Sequence, residues 1–342
     1  TKWEIAFEKT EILRSYLRSY YDDPDGRYTL GLNTHQLLVS WLSALDLKSN
    51  PKIVITDQEF HSMYRQLHRL REEGLQIAEV PAEPVDNFMV ELRSAVDKQT
   101  AAIMISRVYF QSGLINPHIS EVAALARDHN IPLLIDDYHG TNVVPLSIQE
   151  ADLEDCFVLI GGYKYLQWGE GNCFLRYPAN CQLRPAVTGW FASFSTLDQP
   201  RTDAPTTYKD ENQLFASGTY DPASQFRAAK VVAFFKKHNL TPETLRHQYK
   251  QQLALMRRQF NNLDISPEIM RPRHTQNLDS NGGFLAFKTP YATKLRSMLL
   301  NRNLFTDARG NILRFGPAPY ITSRQIEETF SILDDCITEL LE

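Results

Sequence analysis

Cysteine is scarce in this 342-residue chain: Cys156, Cys173, Cys181 and Cys336 are the only four, widely spaced and without a C-x-x-C pair. That pattern excludes a disulfide framework, a cysteine-rich zinc site and a thioredoxin-type redox motif. Free thiols fit a reducing, cytoplasmic compartment, and no metal centre is expected. Long hydrophobic runs are also missing. None approaches the ~18 residues that a membrane-spanning helix needs, so no membrane partner is expected. Excess positive charge is absent as well: 36 Lys plus Arg stand against 41 Asp plus Glu, a formal net charge of −5. With no basic block to compensate, the chain lacks the electrostatic footprint of a nucleic-acid binder. Internal repeats and low-complexity tracts are not found. The chain opens Thr1-Lys2-Trp3 with no initiator methionine and no signal-peptide pattern, which predicts a start downstream of the natural one, or processing.

What is present is an ordinary globular composition, 43% hydrophobic and 23% charged, in a length that suits one large or two ordinary domains. From about residue 28 to 177, short apolar runs alternate with amphipathic stretches. Strands are expected at 52–56, 75–80, 101–106, 132–136, 157–161 and 173–177, and helices at 58–72, 87–97 and 119–129. That alternation predicts an α/β fold, a mostly parallel sheet covered on both faces. A helix is also expected over 34–47. Regularity breaks after 177, and the Pro-, Thr- and Asp-rich stretch 195–213 reads as a long surface excursion. Helices follow at 222–238 and 242–262. Strand 283–288, helix 291–301, strand 311–315 and helix 322–341 then form a smaller α+β unit. The expected domains are 1–235, with 1–27 a partial N-terminal helical segment, and 236–342.

Chemistry concentrates in "LLIDDYHG" and "FVLIGGYKYLQWGEG". Asp136 closes a buried apolar strand, where open α/β sheets place their ligands. Lys164 follows 28 positions later, past the next strand and among glycines. An acid and a lysine at neighbouring strand ends suit a pyridoxal phosphate site, where the amine holds the cofactor aldehyde and the acid pairs with the protonated pyridine nitrogen. A surface lysine in a turn beside a helix-capping aspartate is the other reading of the spacing. Asp137 is expected on the opposite face of the strand from Asp136. Arg314 sits in an apolar strand between Leu313 and Phe315. A guanidinium there suits a bidentate grip on an α-carboxylate, or a structural ion pair.

The segment Asp136, His139, Tyr163, Lys164, Tyr165 and Leu166 resembles the class V branch of the fold-type I pyridoxal phosphate enzymes, and within it the kynureninases. Collinear stretches extend the resemblance: "LGLNTHQLLVSW" at 30–41, "EFHS" at 59–62, "VYFQSG" at 108–113, "RPAVTGWF" at 184–191, "SGTYDP" at 217–222 and "ILRFGPAPY" at 312–320. The resemblance implies a fold-type I transferase fold with a large cofactor-binding domain and a smaller C-terminal one. It implies pyridoxal 5'-phosphate as cofactor, with Lys164, Asp136, His139 and Tyr163 as the catalytic set. Leu30 and Gly31 are then expected to offer backbone N–H groups to the phosphate, and Phe60 to lie on the ring face. Ser62 and Ser112 would supply hydroxyls, and Tyr165 and Trp168 packing. Trp190 and Thr219 would reach the phosphate end from a neighbouring subunit, making an obligatory homodimer with a composite site. Arg314 would hold the substrate carboxylate.

The implied reaction is cleavage of a Cβ–Cγ bond in a small-molecule L-amino acid. Transamination, racemisation, β-elimination, C–S lysis and a non-catalytic scaffold role remain open beside it. Cysteine desulfuration is the weakest of these, because Cys336 lies on a C-terminal helix rather than a mobile loop. Three departures stand out: Gly31 replaces the family's Thr, Met63 its acid, and the N-terminal Asn-Ser-Leu-Gly segment is not found in this sequence.

Overall fold

Strand-to-strand connections long enough to hold a helix bring the chain back to the same edge of a sheet, and so favour parallel pairing. The computed structural model describes residues 2–200, 205–208, 211–274 and 277–342. By contact it divides into two units. The first comprises residues 1–107, 116–141 and 145–240, and the second 108–115, 142–144 and 241–342. The expected boundary at 235/236 falls in the last turn of a helix, Ala223–Lys237.

The first unit holds a seven-stranded sheet of β1 (Arg27–Gly31), β2 (Lys52–Thr56), β3 (Gln76–Val80), β4 (Thr100–Ser106), β5 (Leu133–Asp136), β6 (Phe157–Gly161) and β7 (Cys173–Tyr177). Their order is β1-β7-β6-β5-β4-β2-β3. β7 pairs antiparallel with both β1 and β6, and every other pairing is parallel. The mostly parallel α/β sheet expected from the sequence is therefore present.

Alternation along the strands divides the core. On one face Val54, Ile103, Ile105, Leu133, Ile135, Val158 and Ile160 pack with residues of α1 (Lys2–Tyr20), α4 (Val85–Ala95), α5 (Ile119–Asp128) and α6 (Ala223–Lys237). On the other, Ile53, Ile55, Met104, Leu134 and Leu159 pack with residues of α2 (Thr34–Leu42) and α3 (His61–Arg71). With both faces covered, these strands read as continuous apolar runs. The same alternation carries Asp136 to the α2–α3 face and Asp137 to the opposite one.

Leu30 and Gly31 end a strand, β1, in which residues 27–31 pair in full register with β7. One expectation needs correction: the helix expected over 34–47 stops at Leu42, with Ser43 as its C-cap. Of the excursion expected at 195–213, residues 201–204 and 209–210 lie outside the described residues. Trp190–Thr196 forms a kinked 3-10 segment before it.

The second unit is a four-stranded antiparallel sheet, β8 (Arg271–Pro272), β9 (Leu285–Lys288), β10 (Asp307–Arg309) and β11 (Ile312–Phe315), ordered β10-β11-β9-β8. It carries α7 (Pro242–Asn261), α8 (Ala292–Asn301) and α9 (Ser323–Leu341). α9 starts at a capping box, in which Thr322 and Gln325 satisfy each other's backbone N–H groups. No described helix is long and apolar enough to cross a membrane.

Candidate active site

The parallel strands β4, β5 and β6 deliver their C-terminal ends to one edge of the sheet, where Ser106 and Asp136 stand side by side in register. Asp136 is 7% exposed. Its Oδ1 accepts the Tyr138 N–H at 2.9 Å, and among the described residues no hydrogen bond reaches Oδ2. Burial pushes this carboxyl up to about 6, and the Asp137 charge adds to the rise, while the Tyr138 N–H and the Lys164 ammonium oppose it.

Asp137 is fully buried on the far face. It takes Arg107 Nε at 2.5 Å and Nη2 at 3.1 Å, and the Tyr21 hydroxyl at 2.7 Å. Adjacent acids thus meet opposite fates: one is neutralised by a bidentate arginine, and the other is aimed at the sheet edge with half its acceptor capacity unused.

Lys164 follows β6 by three residues, and its Nζ is hydrogen-bonded to His139 Nε2 at 2.5 Å. The same amine lies 5.8 Å from the centroid of the Tyr138 ring. Tyr138 packs so close to β6 that a Cβ on Gly161 would stand 2.0 Å from a ring carbon, so glycine is required there. After Lys164, Gly169 at φ +73° and Gly171 at φ +82° turn the chain back into β7. The Phe60 ring, at the N-cap of α3, is 6.0 Å from the His139 ring. Asp136, His139, Lys164 and Phe60 are therefore grouped in one neighbourhood. Tyr163 is 55% exposed. Trp168 is buried against Tyr16 and Phe174.

The residues expected around a phosphate are more dispersed. Leu30 and Gly31 pair with Phe174 and Cys173 of β7. A Cβ on Gly31 would approach Leu37 Cγ to 2.5 Å, so the threonine of the resembled family does not fit beside this leucine. At the start of α2, Asn33 Oδ1 accepts the Gln36 N–H at 2.9 Å and Gln36 Oε1 accepts the Leu32 N–H at 3.1 Å. Gln36 Nε2 also donates to Ser217 Oγ. Ser62 is half-buried in the first turn of α3, a helix without a side-chain cap. Met63 is buried with Leu37 and Leu67, an apolar setting that would desolvate a carboxylate. Trp190 is 39% exposed and belongs to an aromatic cluster, 4.5 Å from Phe191 and 6.3 Å from Trp3. Thr219 is exposed.

Ser112 and Arg314 belong to the second unit. The Ser112 hydroxyl accepts the Leu114 N–H at 3.3 Å. Arg314 is held between Phe110 O and Asp307 Oδ2, with Asp307 its direct partner across β10 and β11. Its guanidinium carbon is 5.3 Å from the Phe284 ring centroid. Cys156, Cys173 and Cys336 are buried and Cys181 is half-buried. Burial pushes the Cys173 thiol up to about 11.

Sequence reasoning passed over Glu59, Ser106 and Tyr138. Glu59 is 4% exposed, and burial pushes its carboxyl up to about 7 against the pull of hydrogen bonds from Ser106 and Thr56. The signal was available: Thr56 and Ser106 are the polar last residues that follow the apolar runs of β2 and β4, at the edge where ligands bind.

No family model matches the chain. In sequence it is similar to the kynureninase of Pseudomonas fluorescens, 23% identical over 264 residues, or 72% of this chain and 58% of that protein. It is also 26% identical over 161 residues to an uncharacterized aminotransferase of Schizosaccharomyces pombe, covering 45% of this chain and 38% of the other. The chain thus spans less than three fifths of the length of the curated relatives it matches.

In fold it is similar to a cystine C–S lyase in complex with its product cysteine persulfide, with TM-score 0.79, 16% identity and coverage of 97% of this chain and 87% of that one. A variant described with glycine covalently linked to the pyridoxal phosphate cofactor gives TM-score 0.80 at 16% identity, over 97% and 86% of the two chains. The apo cysteine desulfurase of Thermococcus onnurineus gives 0.79 at 14%, over 98% and 85%. These likenesses establish a fold-type I α/β architecture, and together with the kynureninase match they support the resemblance to the class V pyridoxal phosphate enzymes.

Proposed function

We propose that this chain is a pyridoxal phosphate-dependent enzyme acting on a small-molecule L-amino acid, with kynureninase-like cleavage of a Cβ–Cγ bond as its reaction. The observation that carries the reading is the pairing of Asp136 and Lys164 at adjacent strand ends. The donor set fits the cofactor. Asp136 Oδ2 is an unused acceptor on a buried carboxylate, and a protonated pyridine nitrogen would both satisfy it and restore the charge that burial opposes. When bound, pyridoxal phosphate supplies an electrophilic aldehyde and a ring that accepts electrons from the substrate Cα.

The chain's own residues do the remaining work. Lys164 would hold the cofactor aldehyde, and its Nζ would be the base that takes and returns the proton at the substrate Cα. His139, already hydrogen-bonded to that amine, keeps it oriented. The Phe60 ring sets the tilt of the heterocycle, and Tyr163 serves the phosphate or moves protons. Leu30, Gly31 and Ser62 serve the phosphate end, and Ser112 the ring. Trp190 and Thr219 complete the phosphate end from a second copy of the chain, so the functional form is a homodimer, testable by its mass in solution. Arg314 grips the substrate α-carboxylate in place of Asp307. Four free thiols suit a cytoplasmic setting.

C–S lysis is the second reading, favoured by the likeness in fold to a cystine C–S lyase. It does not require a mobile thiol on the enzyme. Borohydride reduction and peptide mass spectrometry test the shared premise: a phosphopyridoxyl adduct on Lys164 is expected, and its absence ends both readings. Release of alanine from kynurenine or 3-hydroxykynurenine then supports hydrolysis. Turnover of cystine with neither kynurenine consumed favours C–S lysis instead.

A further inference from the structure

Glu59 is a buried acid that the chemistry above does not use. Its carboxylate is held by the Thr56 hydroxyl at 2.6 Å, the Ser106 hydroxyl at 2.6 Å and the Ser106 N–H at 3.1 Å. Ser106 ends β4 and is the register partner of Asp136 on β5. The acid therefore ties the ends of β2 and β4 together beside the strand that carries Asp136. It also fixes the backbone immediately before Phe60, whose ring faces His139.

The titratable groups around this pair come from several elements. Asp136 and Asp137 come from β5 and its end, and Tyr138 and His139 follow them. Lys164 comes from the segment after β6, and Cys173 from β7. Lys164 is the cation among those acting on Asp136, and Arg107 is taken by Asp137 on the other face. The Asp136 charge is among the causes that raise the Glu59 carboxyl, behind its burial.

We propose that Glu59 is a positioning residue acting through Asp136: it braces the strand ends around that carboxylate and adds a second negative charge to the field that keeps a bound pyridine nitrogen protonated. The inference rests on the pyridoxal phosphate reading above. The physical reason is reciprocity. In the apoprotein the Asp136 charge adds to the burial that raises Glu59, so neutralising Asp136 with a cationic ring makes the Glu59 proton easier to lose. The charge thus formed favours the ring proton in turn.

Two measurements decide it. In the apoprotein labelled with carboxyl-13C glutamate, the Glu59 resonance, assigned by its loss in Glu59→Gln, is expected to titrate near 7. It should move down by about one pH unit in Asp136→Asn. An identical midpoint in the two proteins overturns the coupling without any cofactor being present.

In the holoprotein carrying pyridine-15N pyridoxal phosphate, Glu59→Gln is expected to lower the proton affinity of the ring nitrogen about tenfold. Ser106→Ala, which keeps the acid but removes one of its anchors, is expected to give a smaller shift in the same direction. Nitrogen titrations that superpose for the wild type and both variants overturn the inference, since a purely bracing residue leaves that signal unmoved. Wild-type protein that takes up no cofactor instead overturns the functional reading, a separate outcome.

Discussion

Asp136→Asn is expected to make the apoprotein more stable while removing its capacity to hold a protonated ring. The magnitude follows from the carboxyl's displacement from 3.8 to about 6. A carboxyl raised in the folded state binds its proton more tightly there than in the unfolded chain. Its contribution is most favourable below the unfolded value and is lost as pH rises through the folded one. That displacement costs the wild-type fold about 3 kcal/mol at about pH 8, of which roughly half already applies at about pH 5. Asparagine can accept the same Tyr138 N–H and carries no charge to bury. Relief of Glu59 adds to the gain at high pH, because the Asp136 charge is among the causes of its rise. Urea denaturation of wild-type and variant apoprotein at the two pH values gives the comparison. The variant's advantage should grow by roughly 1–2 kcal/mol from the lower to the higher pH. An advantage that does not change with pH, or a variant that is less stable at about pH 8, refutes the idea that burial of Asp136 outweighs the Tyr138 N–H and the Lys164 charge that favour its ionised form.

Three further outcomes follow from the same structure. Arg107→Met leaves Asp137 fully buried with only hydroxyl partners; chemical denaturation should show a loss of about 3–5 kcal/mol, and Arg107→Met/Asp137→Leu should recover much of it. Gly161→Ala drives a methyl into the Tyr138 ring, so a loss of about 1–3 kcal/mol in thermal unfolding is expected, together with weaker cofactor uptake. Gly31→Thr meets Leu37 in the same way; it should destabilise by a similar ~1–3 kcal/mol, and added Leu37→Ala should relieve the clash measurably.

Periodicity and composition alone gave most of the scaffold. Six strands of the large sheet and the helices between them follow from apolar runs that alternate with amphipathic ones, a local signal written in neighbouring residues. β1 escaped notice because residues 27–31 are a strand only by virtue of β7, a partner some 150 positions away in the chain. β10 was missed for a similar reason: three residues, paired with β11, carry too short a pattern to be read locally.

The site divides in the same way. Asp136 and Lys164 were legible because a polar residue at the end of a buried strand is conspicuous, and so was the placing of Asp137 on the opposite face, which follows from the two-residue repeat of a strand. The partners were not. That Asp137 is spent on Arg107, that Arg314 meets Asp307, and that Glu59 stands beside Asp136 are facts of distance between segments. Met63 shows the limit from the other side: read as a lost acid, it is a core residue wherever α3 is laid against the sheet. Local pattern determines which elements form and which way their side chains alternate. Only the folded arrangement decides which charges meet, because burial and pairing depend on neighbours that the linear order does not bring together.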